Sequence, residues 1–194
     1  EKLIEKNCEV SVITSGNGKW FFQNHNLISN LETIEEIKYG AKNNKINIIE
    51  TLKGSATIYK TIRKNSNKIF QFINNYKPAA IVTDSVYLSP KIKKLNIPII
   101  AINNADIVIE KFKNITRKPK SIYMQLYFVE QLDYLYHRLI PNIVISPDLI
   151  FEKSQSDIKK FKRIMPIVRS GLKKNENSKP LKGGIMLSGS NFGI

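Results

Sequence analysis

The sequence predicts an α/β fold, a Rossmann-like and mostly parallel sheet flanked by helices. Three observations carry this expectation. Short β-branched runs (EVSVIT, AAIVTD, IPIIAINN, NIVIS) recur along the chain and stay apolar throughout, the pattern of strands covered on both faces. Between them lie stretches with apolar residues three and four apart, which read as amphipathic helices. Each strand-like run then gives way to small, polar or turn-forming residues, and in doubly wound sheets such strand ends face the ligand cleft.

In chain order, EKLIEKN reads as the tail of a helix with Asn7 at its cap, and EVSVITSGNG as a strand with a Gly/Asn turn. A helix tail feeding a strand so early leads us to expect that the first strand of the fold lies ahead of Glu1. KWFFQNHN reads as a short helix packing Trp20, Phe21 and Phe22, residues 33–39 as a strand, and GAKNNKINIIE as a loop with another extended piece. Ile58, Ile62, Ile69, Phe70, Ile73 and Tyr76 then mark a helix over residues 55–76, polar on its Lys60, Arg63, Lys64 and Lys68 side and ended by Pro78. AAIVTD reads as a buried strand, Ser89-Pro90 as the start of a short helix ending by Asn96, and IPIIAINN as the next strand. Strand, helix and strand in so few residues form a crossover that runs parallel.

Residues 122–140 read as the longest helix, with Leu126, Val129, Leu132, Leu135 and Leu139 on its apolar face and Pro141 as its stop. NIVIS makes a further strand, FEKSQSDIKKFKRI a helix, and LKKNENSKPLKGG a linker. GIMLSGSNFG starts again as a strand and glycine-rich loop. The expected division is a Rossmann-like domain over residues 1–168, a linker over 169–184, and over 185–194 the opening of a second domain.

Composition narrows the function classes. Hydrophobic residues make up 42% of the 194, enough for a core and against wholesale disorder. The single cysteine, Cys8, cannot pair within the chain, and a reducing cytosol is the expected compartment; before an apolar run it reads as a small buried residue. No apolar run is long enough to span a bilayer and no secretory signal pattern opens the chain. The net charge of +15 invites a polyanionic partner. It is built from 26 Lys and only 5 Arg, however, beside 20 Asn and 31 Ile, and that balance argues for a lysine-filled solvated surface over base and phosphate reading, which leans on Arg. Cation-rich, acid-poor stretches at 53–77, 111–120 and 153–174 suit an anionic membrane surface; no nucleic-acid module is recognisable and nucleic acid is not an expected partner.

The strand-end rule selects Ser15, Gly16 and Asn17, then Thr83, Asp84 and Ser85, then Asn103, Asn104 and Asp106, then Ser146 and Asp148. Each also reads as an ordinary turn or cap. Asp84, a carboxylate at a strand end, is the acid/base candidate. His137, beside Arg138 on a helix, reads as a surface residue; His25 has no evident partner, and two isolated histidines make no metal site. Ser188-Gly189-Ser190 to Gly193 can present backbone N–H groups to phosphate.

The order of these pieces resembles the N-terminal half of two-domain GT-B glycosyltransferases. It is similar to the family of the N-acetylglucosaminyltransferase that makes the lipid-linked peptidoglycan precursor, and to its prokaryotic relatives. The residues that carry the resemblance are EVSVITSGNG, KNNKINIIETLKG, NNYKPAAIVTDS followed by LNIPIIAINN, MPIVR, and IMLSGSNFG. The resemblance implies a nucleotide-sugar donor, a sugar or lipid-linked acceptor, inverting transfer, and no metal or other cofactor. It implies Ser15, Gly16, Asn17, Ser85, Asn103 and Asn104 on the acceptor side with Asp84, Arg169 at the hinge, and Ser188, Gly189, Ser190 and Gly193 toward the donor phosphates. The family's glycine-histidine loop, the expected site of the base, and most of its donor half have no counterpart in these residues, so the chain alone is expected to be inactive. A cytoplasmic protein, peripheral at the inner face of the plasma membrane, is the matching location. Two rivals remain open: a nucleotide-sugar epimerase of the same architecture, and a non-enzymatic basic module for nucleic acid or anionic membrane.

Overall fold

A computed structural model describes residues 3–24, 28–37, 41–42, 45–46, 55–84, 86–118, 123, 126–148 and 159–167. They confirm the α/β class, with parallel strands and intervening helices. The described residues fall into two compact units, one built from those up to Pro78 with Tyr87–Ile92, the other from those of Ala79–Val86 and from Lys93 onward.

In the first unit the turn at Leu3–Asn7 ends as expected: Asn7 takes φ 57° and the Cys8 N–H reaches the Leu3 carbonyl, the Schellman pattern. Strand β1 (Ser11–Thr14) pairs in parallel with β2 (Asn30–Thr33) across helix α1 (Asn17–Gln23). Three expectations change here. Every β1 residue is half-buried, because the seven-residue α1 leaves Trp20 and Phe21 exposed instead of packing them. Cys8 is exposed, not buried. The strand expected at residues 33–39 lies at Asn30–Thr33. Beyond Thr33 the backbone is taken over by a helix: the Asn65 side chain accepts from the Glu35 N–H (3.0 Å) and donates to its carbonyl (2.7 Å), and Lys68 donates to the Thr33 carbonyl (2.6 Å).

A short antiparallel pair follows, β3 (Ala41–Lys42) with β4 (Lys45–Ile46). Helix α2 (Ser55–Tyr76) has the expected bounds. It turns Ile69 and Ile73 inward and lysines outward, and it stops with Lys77 at φ 42° before Pro78.

In the second unit four strands run parallel in the order β5 (Ile81–Asp84), β6 (Ile99–Ile102), β7 (Ile143–Pro147), β8 (Phe161–Ile164). A 3-10 turn at Pro90–Leu95 precedes β6, with the Ser89 hydroxyl accepting from the Lys91 N–H. Register aligns Thr83, Ala101, Val144 and Phe161 in one row across the sheet, and all four are buried. Tyr134 stacks on Phe161, ring centroids 5.5 Å apart. The expectation that β5 is buried on both faces fails at Val82, which is 57% exposed; β5 is an edge of this sheet, so its second face lacks a cover among the described residues.

Helix α3 (Ala105–Asn114) was not anticipated. A wide π-type turn at Leu126–Glu130 leads into α4 (Gln131–Leu139). The longest described helix is therefore α2, not residues 122–140. The expected apolar face also does not form the core: Leu126 is buried, but Val129, Leu132, Leu135 and Leu139 are exposed. The inward side of α4 carries Tyr134 and His137, and His137 is 4% exposed, which overturns its surface reading. Residues 161–164, expected to end a helix, are strand β8. Its Phe161 and Arg163 point inward on one face, and the inward arginine is what disguised the strand.

Candidate functional site

Because β5 to β8 are parallel, their carboxyl ends share one edge, and the second group of candidates gathers there. The Asn103 N–H continues the ladder to the Ile145 carbonyl. Its side chain then does two jobs. Oδ1 accepts from the Ala105 N–H at 2.6 Å, starting α3, and Nδ2 donates to Asp133 Oδ2 at 3.3 Å. The other Asp133 oxygen lies 3.1 Å from His137 Nδ1. Asn103 is thus fixed in one rotamer by a half-buried carboxylate that is itself held by histidine.

One residue further on, Asn104 is exposed at the helix start and makes no side-chain cap. Asp106 is 5% exposed: it accepts from Ser146 Oγ at 2.6 Å and from Arg163 Nε at 3.1 Å. Arg163 also forks onto Glu110, 2.5 Å from Nη2 to Oε2. Glu110 foremost, then Asp106, hold the guanidinium even further toward its charged form, against the cost of burial. Ser146 and Asp106 are consumed by this network and are closed to substrate. Asp84 is exposed at the end of β5, beside buried Thr83. Asp148 is buried. Among the described residues, the solvent-reachable polar groups of this edge include Asp84, Asn104 and half-buried Asn103, suited to hydrogen-bonding a polyhydroxyl ligand and, through Asp84, to accepting a proton.

The first unit has its own carboxyl edge, the Ser15–Gly18 loop after β1. Gly16 takes φ +52°, a conformation that side chains resist. At Gly18 a Cβ would sit 2.1 Å from Thr14 Oγ1, so α1 meets the strand end at a distance only glycine permits. A Cβ at Gly16 would be 3.5–3.6 Å from the Glu36 carboxylate. That carboxylate sets the electrostatics of the loop: it favours a neutral hydroxyl donor and opposes a phosphate. The sequence reading missed Glu36 because it placed residues 33–39 inside a strand. With β2 ending at Thr33, the same strand-end rule points at Glu36.

Ser15, Gly16 and Asn17 therefore belong to the first edge, and Asp84, Asn103 and Asn104 to the second. Ser85, Arg169, Ser188, Gly189, Ser190, Gly193 and His25 lie outside the described residues. The side chains drawn into the second edge that sequence reasoning missed are Asp133, His137 and Arg163. An Asp four residues before a His on one helix was the available signal for the first two. Among the described residues no three His, Cys, Asp or Glu side chains group as metal ligands, and no helix is long and apolar enough to cross a membrane.

Parallel α/β sheets with polar residues at their carboxyl edges are the build of a GT-B half-domain. The family model described as glycosyl transferase family 1 matches residues 1–130, and the chain belongs to that family. No curated protein and no solved structure matches the chain. Family membership makes this a glycosyltransferase domain, with a nucleotide-sugar donor and an acceptor in general terms.

Proposed function

We propose that these residues form the acceptor half of an inverting glycosyltransferase that uses a nucleotide-sugar and a sugar or lipid-linked acceptor. The observation that carries this reading is the acidic first edge, where Glu36 stands over the Gly16 turn. A carboxylate there suits an acceptor hydroxyl and is wrong for a donor diphosphate. In this reading Ser15 and Asn17 at the edge of the first unit, and separately Asn103 and Asn104 at the edge of the second, are acceptor-side residues. Asp84 or Glu36 takes the hydroxyl proton as the acceptor oxygen attacks the anomeric carbon and the nucleoside diphosphate departs. Arg169 and the Ser188, Gly189, Ser190 and Gly193 loop serve the donor side, with residues 169–184 as the linker to it. A lipid-linked acceptor places the protein at the cytoplasmic face of a membrane.

The test is release of nucleoside diphosphate from UDP-, dTDP- and GDP-sugars by protein carrying the complete donor half, with and without glycan or lipid-linked acceptor. Acceptor-dependent release that drops about 100-fold or more in Glu36→Gln or Asp84→Asn supports the reading. Epimerised sugar without transfer, or release indifferent to both substitutions, overturns it.

A further inference from the structure

Helix α2 interrupts its own apolar stripe. Asn65, Ile69 and Ile73 follow one another at four-residue spacing on the inward side, 6%, 2% and 4% exposed. The period of the helix calls for an apolar residue at the first of these positions. A buried amide there costs stability unless its oxygen and its nitrogen both find partners. Both do, and on the same residue. The oxygen accepts from the Glu35 N–H at 3.0 Å, and the nitrogen donates to the Glu35 carbonyl at 2.7 Å. A position that breaks the pattern of its own helix and grips a segment 30 residues earlier answers to more than packing.

The grip is on the backbone. A peptide unit is planar, so whatever fixes the Glu35 carbonyl also fixes the nitrogen of Glu36. The preceding unit is fixed through the Glu35 N–H. In the unit before that, the Thr33 carbonyl accepts from Lys68 Nζ at 2.6 Å, and the Ile34 N–H donates to the Thr14 carbonyl at 2.8 Å. Successive peptide planes from Thr33 onward are thus pinned, the last two by Asn65, directly ahead of Glu36. The acidic side chains of this segment are sorted as well. Glu35 pairs with Lys64 and Glu32 with Lys68. Glu36 is exposed, and its carboxylate is 3.5–3.6 Å from where a Cβ on Gly16 would sit. Helix α2 therefore draws two carboxylates to its own lysines and leaves the third over the Gly16 turn.

We propose that Asn65 is a positioning residue for the acceptor: its amide holds the backbone at Glu35 so that the Glu36 carboxylate stays aimed at a hydroxyl bound at the Gly16 turn. The proposal rests on the transferase reading for what Glu36 does there, and not for the grip itself. A carboxylate at the end of a strand takes a proton only from a hydroxyl within hydrogen-bond reach. Backbone motion of about 1 Å is enough to lose that reach. Asn65 removes this freedom before the acceptor arrives.

Asn65→Leu breaks both hydrogen bonds and completes the apolar stripe with a side chain of similar size. Hydrogen exchange on the whole chain is expected to quicken at least about tenfold at the Glu35 amide, while the Ile69 and Ile73 amides keep the parent rate. In protein carrying the complete donor half, the same substitution is expected to lower kcat for transfer at least about tenfold, with donor KM within about twofold. Asn65→Asp, which retains an oxygen for the Glu35 N–H and loses the donated bond, serves as the second variant should Asn65→Leu fold poorly. It too is expected to lower kcat. In a Glu36→Gln background neither substitution is expected to lower transfer further, because no carboxylate is left to aim. A protein weakened only in its fold loses activity by the same factor in both backgrounds, and that result overturns the proposal. A Glu35 amide that exchanges at the parent rate in Asn65→Leu also overturns it. So does Glu36→Gln protein that transfers like the parent, an outcome that leaves the transferase reading standing on Asp84. Absence of transfer by the parent removes the transferase reading, and the Glu35 amide then decides whether Asn65 holds the segment.

Discussion

In the first unit the ion pairs lie outside, Lys64 with Glu35 and Lys68 with Glu32, and α2 turns its isoleucines in. In the second unit the arrangement is inverted. Arg163 with Asp106 and Glu110, and separately Asp133 with His137, pair on buried or half-buried ground, and α4 turns its leucines out. The first pattern is what a freely solvated surface requires. The second places desolvated charge at the strand ends, where it fixes polar side chains such as Asn103 in position, and it leaves an apolar face toward whatever the unit meets. Charge is surface dressing in one unit and internal framework in the other.

The largest effect that can break this contrast is at Arg163. Arg163→Met leaves the buried Asp106 without its cation and is expected to cost about 3–5 kcal/mol in denaturant unfolding. Adding Asp106→Asn and Glu110→Gln is expected to recover part of that loss, since no buried charge is then left unpaired. Next comes the helix comparison. Ile73→Ala in α2 is expected to cost about 2–5 kcal/mol, while Leu135→Ala in α4 stays within about 0.5 kcal/mol. Equal losses would mean that α4 is packed like α2.

The surface pair gives less. Lys64→Gln is expected to change stability by under about 1 kcal/mol, and by less in high salt. The smallest effect is pH-dependent. The Lys68 ammonium first, then the Thr33 N–H, hold the Glu32 carboxyl below the usual carboxylate range. Its contribution to stability is therefore present above that range and disappears as pH falls through the lower folded-state value. The gap between parent and Glu32→Gln, measured by thermal unfolding across pH, is expected to be widest near neutrality and to close in acid.

Periodicity made α2 legible to the residue, because its burial follows its apolar spacing and a proline marks its end. The parallel strands at 81–84, 99–102 and 143–147 were legible for the same reason: continuous Ile and Val runs ended by polar residues. The failures share a cause. Strand β8 carries Arg163 inward and α4 carries His137 inward, so a rule that sends charge to the surface assigns the wrong face. Helix α3 starts from an asparagine side chain one residue ahead of its formal cap, and its first turn buries an aspartate. Arg163 and Asp106 are held inside by each other across 57 positions, and a local pattern holds no trace of such a partner; the His137 partner, Asp133, lies four residues away on the same helix and was there to be read. At the site, Asp84 and Asn103 were found by position along the chain. Glu36 was hidden by a strand placed three residues too late.

The inward arginine has a consequence for the order in which the chain assembles. Its two acidic partners lie 57 and 53 residues earlier, on α3. Until that helix is seated, the guanidinium of β8 lacks both carboxylates and the loop closure goes unrewarded. The last strand is therefore expected to close after the rest of its sheet and to open before it. Native-state hydrogen exchange reads this directly, with the amides of residues 161–164 exchanging through a lower-energy opening than those of residues 99–102. Charge here acts as a timing device: it keeps the fourth strand from joining before the helix that receives it is in place.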